Sequence, residues 1–227
     1  MPTIHTMAER AAAAQRRSDG PEDGPRLPPL AAGEWDQTLT RVLEGSPGGT
    51  TDPMHIFTTL GRADPELFRR WLGFGGALLS GTLPGRLREL VILRTAFRFG
   101  GGYEWAHHIR LAEAQGITRG EIAAVGHDDG LAEFDWAPVE SAALRAVDET
   151  ALEGSVSGAT WAALEESLRE SELIELLMLI GHYQMLTGVL GSLRIQLEAS
   201  AAAVAGIVAG GPELPDVTGP NRPTFPE

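Results

Sequence analysis

Residues 83–125 read LPGRLRELVILRTAFRFGGGYEWAHHIRLAEAQGITRGEIAAV and carry the strongest structural signal in the chain. Two helical patterns flank three consecutive glycines at positions 100–102. The first pattern repeats apolar residues at the spacing of a helix face that packs into a core. The second opens with Tyr-Glu-Trp-Ala-His-His, so acidic and imidazole groups lie among apolar neighbours. The stretch predicts two helices with ionisable side chains where they meet.

The spacing of these side chains indicates which of them share a face. A helix turns once every 3.6 residues, which places Glu104, His107, His108 and Leu111 on one stripe. Glu104 and His108 are four residues apart, near enough for a carboxylate to hydrogen-bond an imidazole. Histidine titrates near neutrality and burial raises the pKa of a glutamate, so a buried pair would suit proton transfer. The alternative is that these groups are solvated or cap the helix, because the helix dipole favours a glutamate in the first turn.

These residues also carry a family resemblance. LPGRLRELVILR, YEWAHHIRLAEAQGIT and the following Glu-Ile-Ala-Ala-Val run resemble the carboxymuconolactone decarboxylase family, which contains the AhpD-type alkylhydroperoxidases. The resemblance extends over about Leu27 to Glu198. The AhpD branch carries a Cys-x-x-Cys-x-x-x-His motif and an upstream Glu. On this chain the His falls on His108, the Glu on Glu89, and the two cysteines on Gly101 and Glu104.

The chain contains no cysteine. Thiol peroxidase chemistry needs a nucleophilic thiolate and a resolving thiol, so that activity is excluded. The resemblance therefore implies the cysteine-free, decarboxylase-like branch, with proton transfer on an acidic organic substrate and no cofactor. It also implies the AhpD-like fold and a homo-oligomer, a trimer or a hexamer.

Taken together, motif and spacing assign roles to the ionisable groups. His108 is the candidate general acid/base, Glu104 orients it or acts as a second acid/base, and Glu89 completes the relay. Arg94 and Arg98 share a helix face, and such an arginine would hold a substrate carboxylate in bidentate fashion. The alternative is that these arginines form ion pairs with the nearby glutamates or with a neighbouring subunit.

A weak internal repeat extends this set. Glu-Leu at 89–90 followed by Tyr-Glu at 103–104 resembles Glu-Leu at 172–173 followed by Tyr-Gln at 183–184. Two similar helical hairpins would then pack around a common centre and bring their polar residues together. For His182 the alternative is a core histidine whose hydrogen bonds are satisfied. The further candidates for substrate contact are His107, Tyr103, His182 and Tyr183.

No strand pattern of useful length occurs, so we predict an all-α architecture of about eight to nine helices. The domain spans residues 30–200, between a mobile N-terminal segment at 1–29 and a Pro/Gly-rich tail at 201–227. The apolar stretch near the end of the domain contains Glu175 and His182, which a membrane span would avoid. It predicts a buried core helix, or two helices joined near residues 188–191.

Composition excludes several classes of function. The net charge of −13 argues against nucleic acid or an anionic membrane surface as partner. All 18 basic residues are arginine, which excludes a Schiff-base lysine. The polar, Ala-rich N-terminus lacks the apolar region of a signal peptide, so we expect a cytoplasmic location.

Three functions follow from these observations. The first is a cofactor-independent acid/base enzyme on a small carboxylated or oxygenated molecule, a decarboxylase-like lyase or an isomerase, dehydratase or cyclase. The second is a metal enzyme, because Glu104-x-x-His107 matches half of a di-iron pattern; the other half is absent, so we predict no metal. The third is a non-catalytic binding or scaffold protein, which predicts a sealed Glu89–Glu104–His108 cluster. The long tails argue against carboxymuconolactone itself as substrate.

Overall fold

The structure of the chain is a computed structural model that describes residues 24–127 and 130–201. Within these ranges the chain forms ten α-helices and one short 3-10 helix, and no strand. The all-α prediction is confirmed. Most of both tails lies outside the described residues. The helices are α1 (Gln37–Glu44), α2 (His55–Leu60), α3 (Pro65–Leu79), α4 (Gly85–Phe99), α5 (Gly102–Ala114), α6 (Arg119–Val125), α7 (Gly130–Glu133), α8 (Pro138–Glu153), α9 (Gly158–Glu165) and α10 (Glu170–Leu193).

Helix α4 is the centre of the molecule. It packs against α5, α8 and α10, and nearly every side chain from Leu87 to Arg98 is buried. A helix that is buried on most of its circumference has to be surrounded by other helices. Two large apolar clusters result, one between α4, α8 and α10 and one between α4, α5 and α6, and a small third cluster joins α1 to α3.

The glycines at 100–102 make a tight junction between α4 and α5. Gly100 ends α4 with a φ of 73°, a left-handed conformation that glycine adopts without steric cost. Because α5 begins at Gly102, its first turn lies directly against the end of α4. This junction brings the ionisable side chains of the two helices into one place.

Helix α10 is continuous over 24 residues. Of the two alternatives predicted for this stretch, a single buried core helix is confirmed, and two helices joined near residues 188–191 are not found. The second copy of the proposed repeat is not a hairpin either, since Glu172 and Tyr183 both lie on α10. By length and composition, α10 is the one helix in the described ranges that could cross a membrane. Half of its most apolar window is nevertheless buried against the rest of the protein, as expected of a core helix.

After α10 the chain turns at Arg194, which has a φ of 54°, and runs back across the domain. We call residues 195–201 the C-terminal strap. The carbonyl of Gln196 contacts the Nδ1 atom of His55, and the amide of Ser200 donates to Asp52. The strap thereby fastens the end of the domain to the segment that leads into α2.

Candidate active site

A cavity of about 410 Å³ lies between α3, α5, α10, the segment before α2 and the C-terminal strap. Its walls are largely apolar, and its ionisable groups come mainly from the first two turns of α5. The polar and aromatic residues that line it include Trp71, Tyr103, Glu104, His107, His108, Arg110, His182, Tyr183 and Glu198. An apolar concavity with a few polar groups is typical of a small-molecule site.

His108 is the middle member of a buried chain of hydrogen bonds. Its Nδ1 atom lies 2.7 Å from Oε2 of Glu89, and its Nε2 atom lies 3.1 Å from the hydroxyl of Tyr183. Burial, and then the neighbouring carboxylates, raise the pKa of Tyr183, so this residue is a neutral hydroxyl. We call Glu89, His108 and Tyr183 the buried relay. The expected approach of Tyr183 to the α5 histidine is confirmed.

Glu104 takes a different partner from the one that its spacing suggested. Both ring nitrogens of His108 are occupied by the other members of the relay, and Glu104 instead accepts a 3.3 Å hydrogen bond from Thr187 of α10. The predicted Glu104–His108 hydrogen bond is therefore wrong for the described residues. Helical spacing shows that two residues lie on one face of a helix. It does not show which hydrogen-bonding groups a second helix brings to that face.

The electrostatics of Glu104 suit proton transfer at neutral pH. Burial raises its pKa to about 7, although its own backbone amide and Thr187 act against the rise. Its Oε2 atom is buried and has no hydrogen-bond partner among the described residues. This oxygen lies close to Gly101, where an added Cβ would stand 2.7 Å from it. Glu104 can therefore change its protonation state near pH 7.

A second group forms around Glu198 of the C-terminal strap. Its carboxylate lies 2.8 Å from Nε2 of His107 and accepts a 2.6 Å hydrogen bond from the hydroxyl of Tyr103. The backbone amide of His55 also donates to it. Burial alone would raise the pKa of Glu198, but these donors outweigh burial and lower it to about 2.

His182 lies in the cavity wall without a described hydrogen-bond partner for its buried Nδ1 atom. Its ring meets Phe74 and Tyr183 edge-on, and an added Cβ at Gly75 would stand 3.3 Å from its Nε2 atom. Burial lowers the pKa of His182 and favours the neutral ring. The alternative of a satisfied core histidine does not describe this side chain.

The two arginines proposed to hold substrate lie elsewhere. Arg94 is fully buried and binds both oxygens of Asp148 together with Arg98. Neither arginine lines the cavity, so their assignment as carboxylate ligands of the cavity is corrected. Their partner is an aspartate of α8 rather than either of the two expected glutamates. Arg94 is fully buried and therefore needs an anionic partner, so its side chain points towards Asp148.

Arg110 and Glu198 are among the cavity residues that sequence reasoning missed. Arg110 is exposed, lines the cavity and makes no ion pair with another described residue. It lies three residues after His107, so helical periodicity already placed it on the same face. Glu198 had no such signal, because it follows α10 in a stretch without helical or strand periodicity.

The proposed half of a di-iron motif does not act as one unit. Glu104 bonds to Thr187, whereas His107 bonds to Glu198. In residues 24–127 and 130–201 no group of three or more His, Asp or Glu side chains is arranged to hold a metal ion.

Comparisons with known proteins agree with this architecture. Residues 65–149 match the model of the carboxymuconolactone decarboxylase family. No curated protein matches the chain significantly. The match covers α3 to most of α8, and so includes Glu89, Glu104 and His108.

Solved structures extend the likeness to most of the fold. One similar structure is a cysteine-to-alanine variant of the debrominase Bmp8 in complex with 2,3,4-tribromopyrrole. Its sequence is 18% identical to this chain, the TM-score is 0.66, and the alignment covers 82% of this chain and 98% of the Bmp8 chain. An uncharacterised peroxidase-related protein from Ralstonia eutropha with an alkylhydroperoxidase AhpD core is 15% identical with a TM-score of 0.68, covering 78% and 94%. A protein of unknown function from Agrobacterium tumefaciens, a putative antioxidant defence protein AhpD, is 20% identical with a TM-score of 0.53, covering 60% and 93%. Residues 65–149 are thus similar to the carboxymuconolactone decarboxylase family, and the described part of the chain has an AhpD-like all-α fold.

Proposed function

We propose that the protein is a cofactor-independent enzyme that transfers protons on a small carboxylated or oxygenated organic molecule. The observation that carries the proposal is Glu104, a buried carboxyl group in the wall of an apolar cavity with a pKa of about 7. A general acid/base works best when its pKa lies near the working pH. The reaction would be lyase-like, as in a decarboxylation, or an isomerisation, dehydration or cyclisation.

The buried relay supplies the second requirement of such chemistry. Loss of a proton or of CO2 next to a carbonyl leaves an enolate, whose oxygen must be stabilised by a hydrogen-bond donor. Tyr183 lines the cavity as a neutral hydroxyl, and His108 and Glu89 lie behind it. In this scheme Glu104 moves the proton at carbon. Tyr183 turns its hydroxyl proton from Nε2 of His108 to the substrate oxygen, which it then stabilises.

The chemistry of the walls indicates the class of substrate. The largely apolar lining and the volume of about 410 Å³ suit a compact organic body rather than a polymer. Arg110 is the cation available to a carboxylate at the cavity, in the role first proposed for the α4 arginines. The complex of debrominase Bmp8 with a small brominated ring supports the general idea that this fold encloses small molecules.

Deuterium exchange tests the proposal whichever of these reactions the protein performs. Mono- and dicarboxylates, lactones and aromatic oxo acids would first be screened by thermal shift. Molecules that bind would then be incubated in D2O, and loss of their C–H signals would be followed by NMR. We expect protein-dependent exchange that Glu104→Gln lowers by about 10²- to 10⁴-fold while the thermal shift remains.

Two results would contradict the proposal. Exchange that is equally fast in wild type and Glu104→Gln would remove the carboxyl group from the chemistry. Thermal shifts without exchange for any binder would favour the binding or scaffold alternative. That alternative predicted a sealed cluster, whereas the cavity is lined by both Glu104 and His108.

A further inference from the structure

We propose that His107, oriented by Glu198 of the C-terminal strap, is a second general acid/base of the cavity, separate from the buried relay. The inference deepens the proposed function and rests on it. Neither the family segment nor the helix pattern points to Glu198, which lies outside residues 65–149. What points to it is the set of contacts that its carboxylate makes.

The contacts of Glu198 are all with donors. Oε1 accepts from the hydroxyl of Tyr103 and from the amide of His55, and Oε2 lies 2.8 Å from Nε2 of His107. Glu198 as a whole is 2% exposed. A buried carboxylate with three donors is ionised and rigidly held.

An ionised carboxylate fixes the tautomer of the histidine beside it. A carboxylate only accepts hydrogen bonds, so the proton of this contact is on Nε2 of His107. In the neutral ring, Nδ1 then carries a lone pair. This nitrogen makes no hydrogen bond with any described residue, and His107 lines the cavity. Carboxylate–histidine pairs in which the far nitrogen is free form general bases in many enzymes.

His107 and His108 differ in this respect although they are adjacent. Both ring nitrogens of His108 are engaged, by Glu89 and by Tyr183, so His108 exchanges protons with a ligand only through the tyrosine. His107 has one nitrogen engaged and one available. The two histidines therefore have different roles. His108 polarises the hydroxyl of Tyr183, and His107 contacts the substrate directly.

The position of His107 relative to Glu104 completes the inference. The two residues are one helical turn apart, and both line the cavity. One turn of α5 thus presents a carboxyl group and an imidazole to the same ligand. Besides Glu198, the titratable or charged groups that line the cavity with His107 come from three elements: Tyr103, Glu104, His108 and Arg110 on its own helix, His182 and Tyr183 on α10, and Asp52 before α2.

The tautomer is tested on the free protein by NMR. Long-range ¹⁵N–¹H spectra of histidine-labelled protein distinguish the two neutral tautomers, and the spectrum of His107→Ala assigns the ring. We expect the Nε2–H form in wild type and a mixture of tautomers in Glu198→Gln. The matched control is Gln196→Ala, an exposed side chain of the same strap, which should leave the tautomer unchanged. The Nδ1–H form in wild type would overturn the proposal.

The basicity of the free nitrogen is tested with 5-nitrobenzisoxazole, a probe that any base in an apolar cavity can open. The base takes the proton from the ring carbon, the C–H electron pair forms the nitrile, and the N–O bond breaks to release 2-cyano-4-nitrophenolate. We expect wild type to accelerate this reaction, His107→Ala to lower kcat/KM by about 100-fold, and Glu198→Gln to lower it by roughly tenfold through loss of orientation. Gln196→Ala should retain the wild-type rate.

The outcomes separate this inference from the proposed function. An inactive wild type, or equal rates in wild type and His107→Ala, would overturn the role of His107 and leave the test of Glu104 by deuterium exchange untouched. Circular dichroism of each variant shows whether it is folded. If Glu198→Gln does not fold, the tautomer in wild type and the rate of His107→Ala still decide the question.

Discussion

Glu104→Gln should make the protein progressively more stable, relative to wild type, as the pH rises through neutrality. In the folded state the pKa of Glu104 is raised from 4.5 to about 7, because burial disfavours the charged form. The folded protein therefore binds this proton more tightly than the unfolded chain does. Stability from Glu104 is fully present below pH 4.5 and falls as the pH rises towards 7. The pKa difference corresponds to a loss of about 3 kcal/mol.

Glutamine does not titrate, so the variant escapes this loss. Urea unfolding followed by circular dichroism gives the free energy of unfolding of both proteins across the pH range. We expect the value for Glu104→Gln minus that for wild type to rise by up to about 3 kcal/mol between roughly pH 4.5 and pH 8. Taking the difference cancels the titration of groups that do not interact with Glu104, and the change of this difference with pH is independent of the constant cost of the amide.

Glu198→Gln provides a matched control of opposite sign. The pKa of Glu198 is lowered to about 2, so its stabilising contribution is present above its ordinary value of 4.5 and is lost as the pH falls towards 2. This variant should be less stable than wild type at neutral pH and approach it in acid. A pH-independent difference for Glu104→Gln, or a decrease with rising pH, would refute the electrostatic reasoning for the cavity.

Three further predictions concern the surroundings of the site. Asp148→Asn should lower the free energy of unfolding by about 1.5–3 kcal/mol in urea, because it removes a carboxylate that accepts hydrogen bonds from the buried Arg94 and Arg98; a loss below about 0.5 kcal/mol would contradict this. Gly101→Ala should lower the deuterium-exchange rate, since the added methyl group would stand 2.6 Å from Oγ1 of Thr187 and displace the carboxyl group held there; an unchanged rate would show that the wall yields freely. Tyr183→Phe should reduce exchange and cost about 1 kcal/mol of stability by removing one hydrogen bond of the buried relay, and unaltered exchange would place the relay outside the chemistry.

Local sequence signals were sufficient for the fold because they agree with one another. Helical periodicity and the glycines at 100–102 predicted the junction of α4 and α5, which the structure contains. The motif placed Glu89 and His108 in one group, and in the structure these two side chains, 19 residues apart in the sequence, lie within hydrogen-bond distance. These features depend on neighbours in the chain or on a motif that spans one helical hairpin.

Partners supplied by distant elements were beyond such signals. Glu104 accepts a hydrogen bond from Thr187 of α10, and Arg94 forms an ion pair with Asp148 of α8. In both cases the side chain points towards a polar group on another helix, because a buried charge or hydroxyl needs a partner. Glu198 belongs to the same class, since only the return of the chain after α10 brings it to His107.

The residues of the site come from two parts of the chain, one inside and one outside the segment that matches the family model. Glu89, Glu104 and His108 lie within residues 65–149, the segment that matches the family, whereas Glu198 and the segment at 45–57 lie outside it. Substitutions at 45–57 can reshape the cavity wall without replacing Glu89, Glu104 or His108, whereas a substitution of Glu198 would also remove the hydrogen bond to His107. The shape of the binding space and the groups at 65–149 that we propose for proton transfer can therefore vary independently.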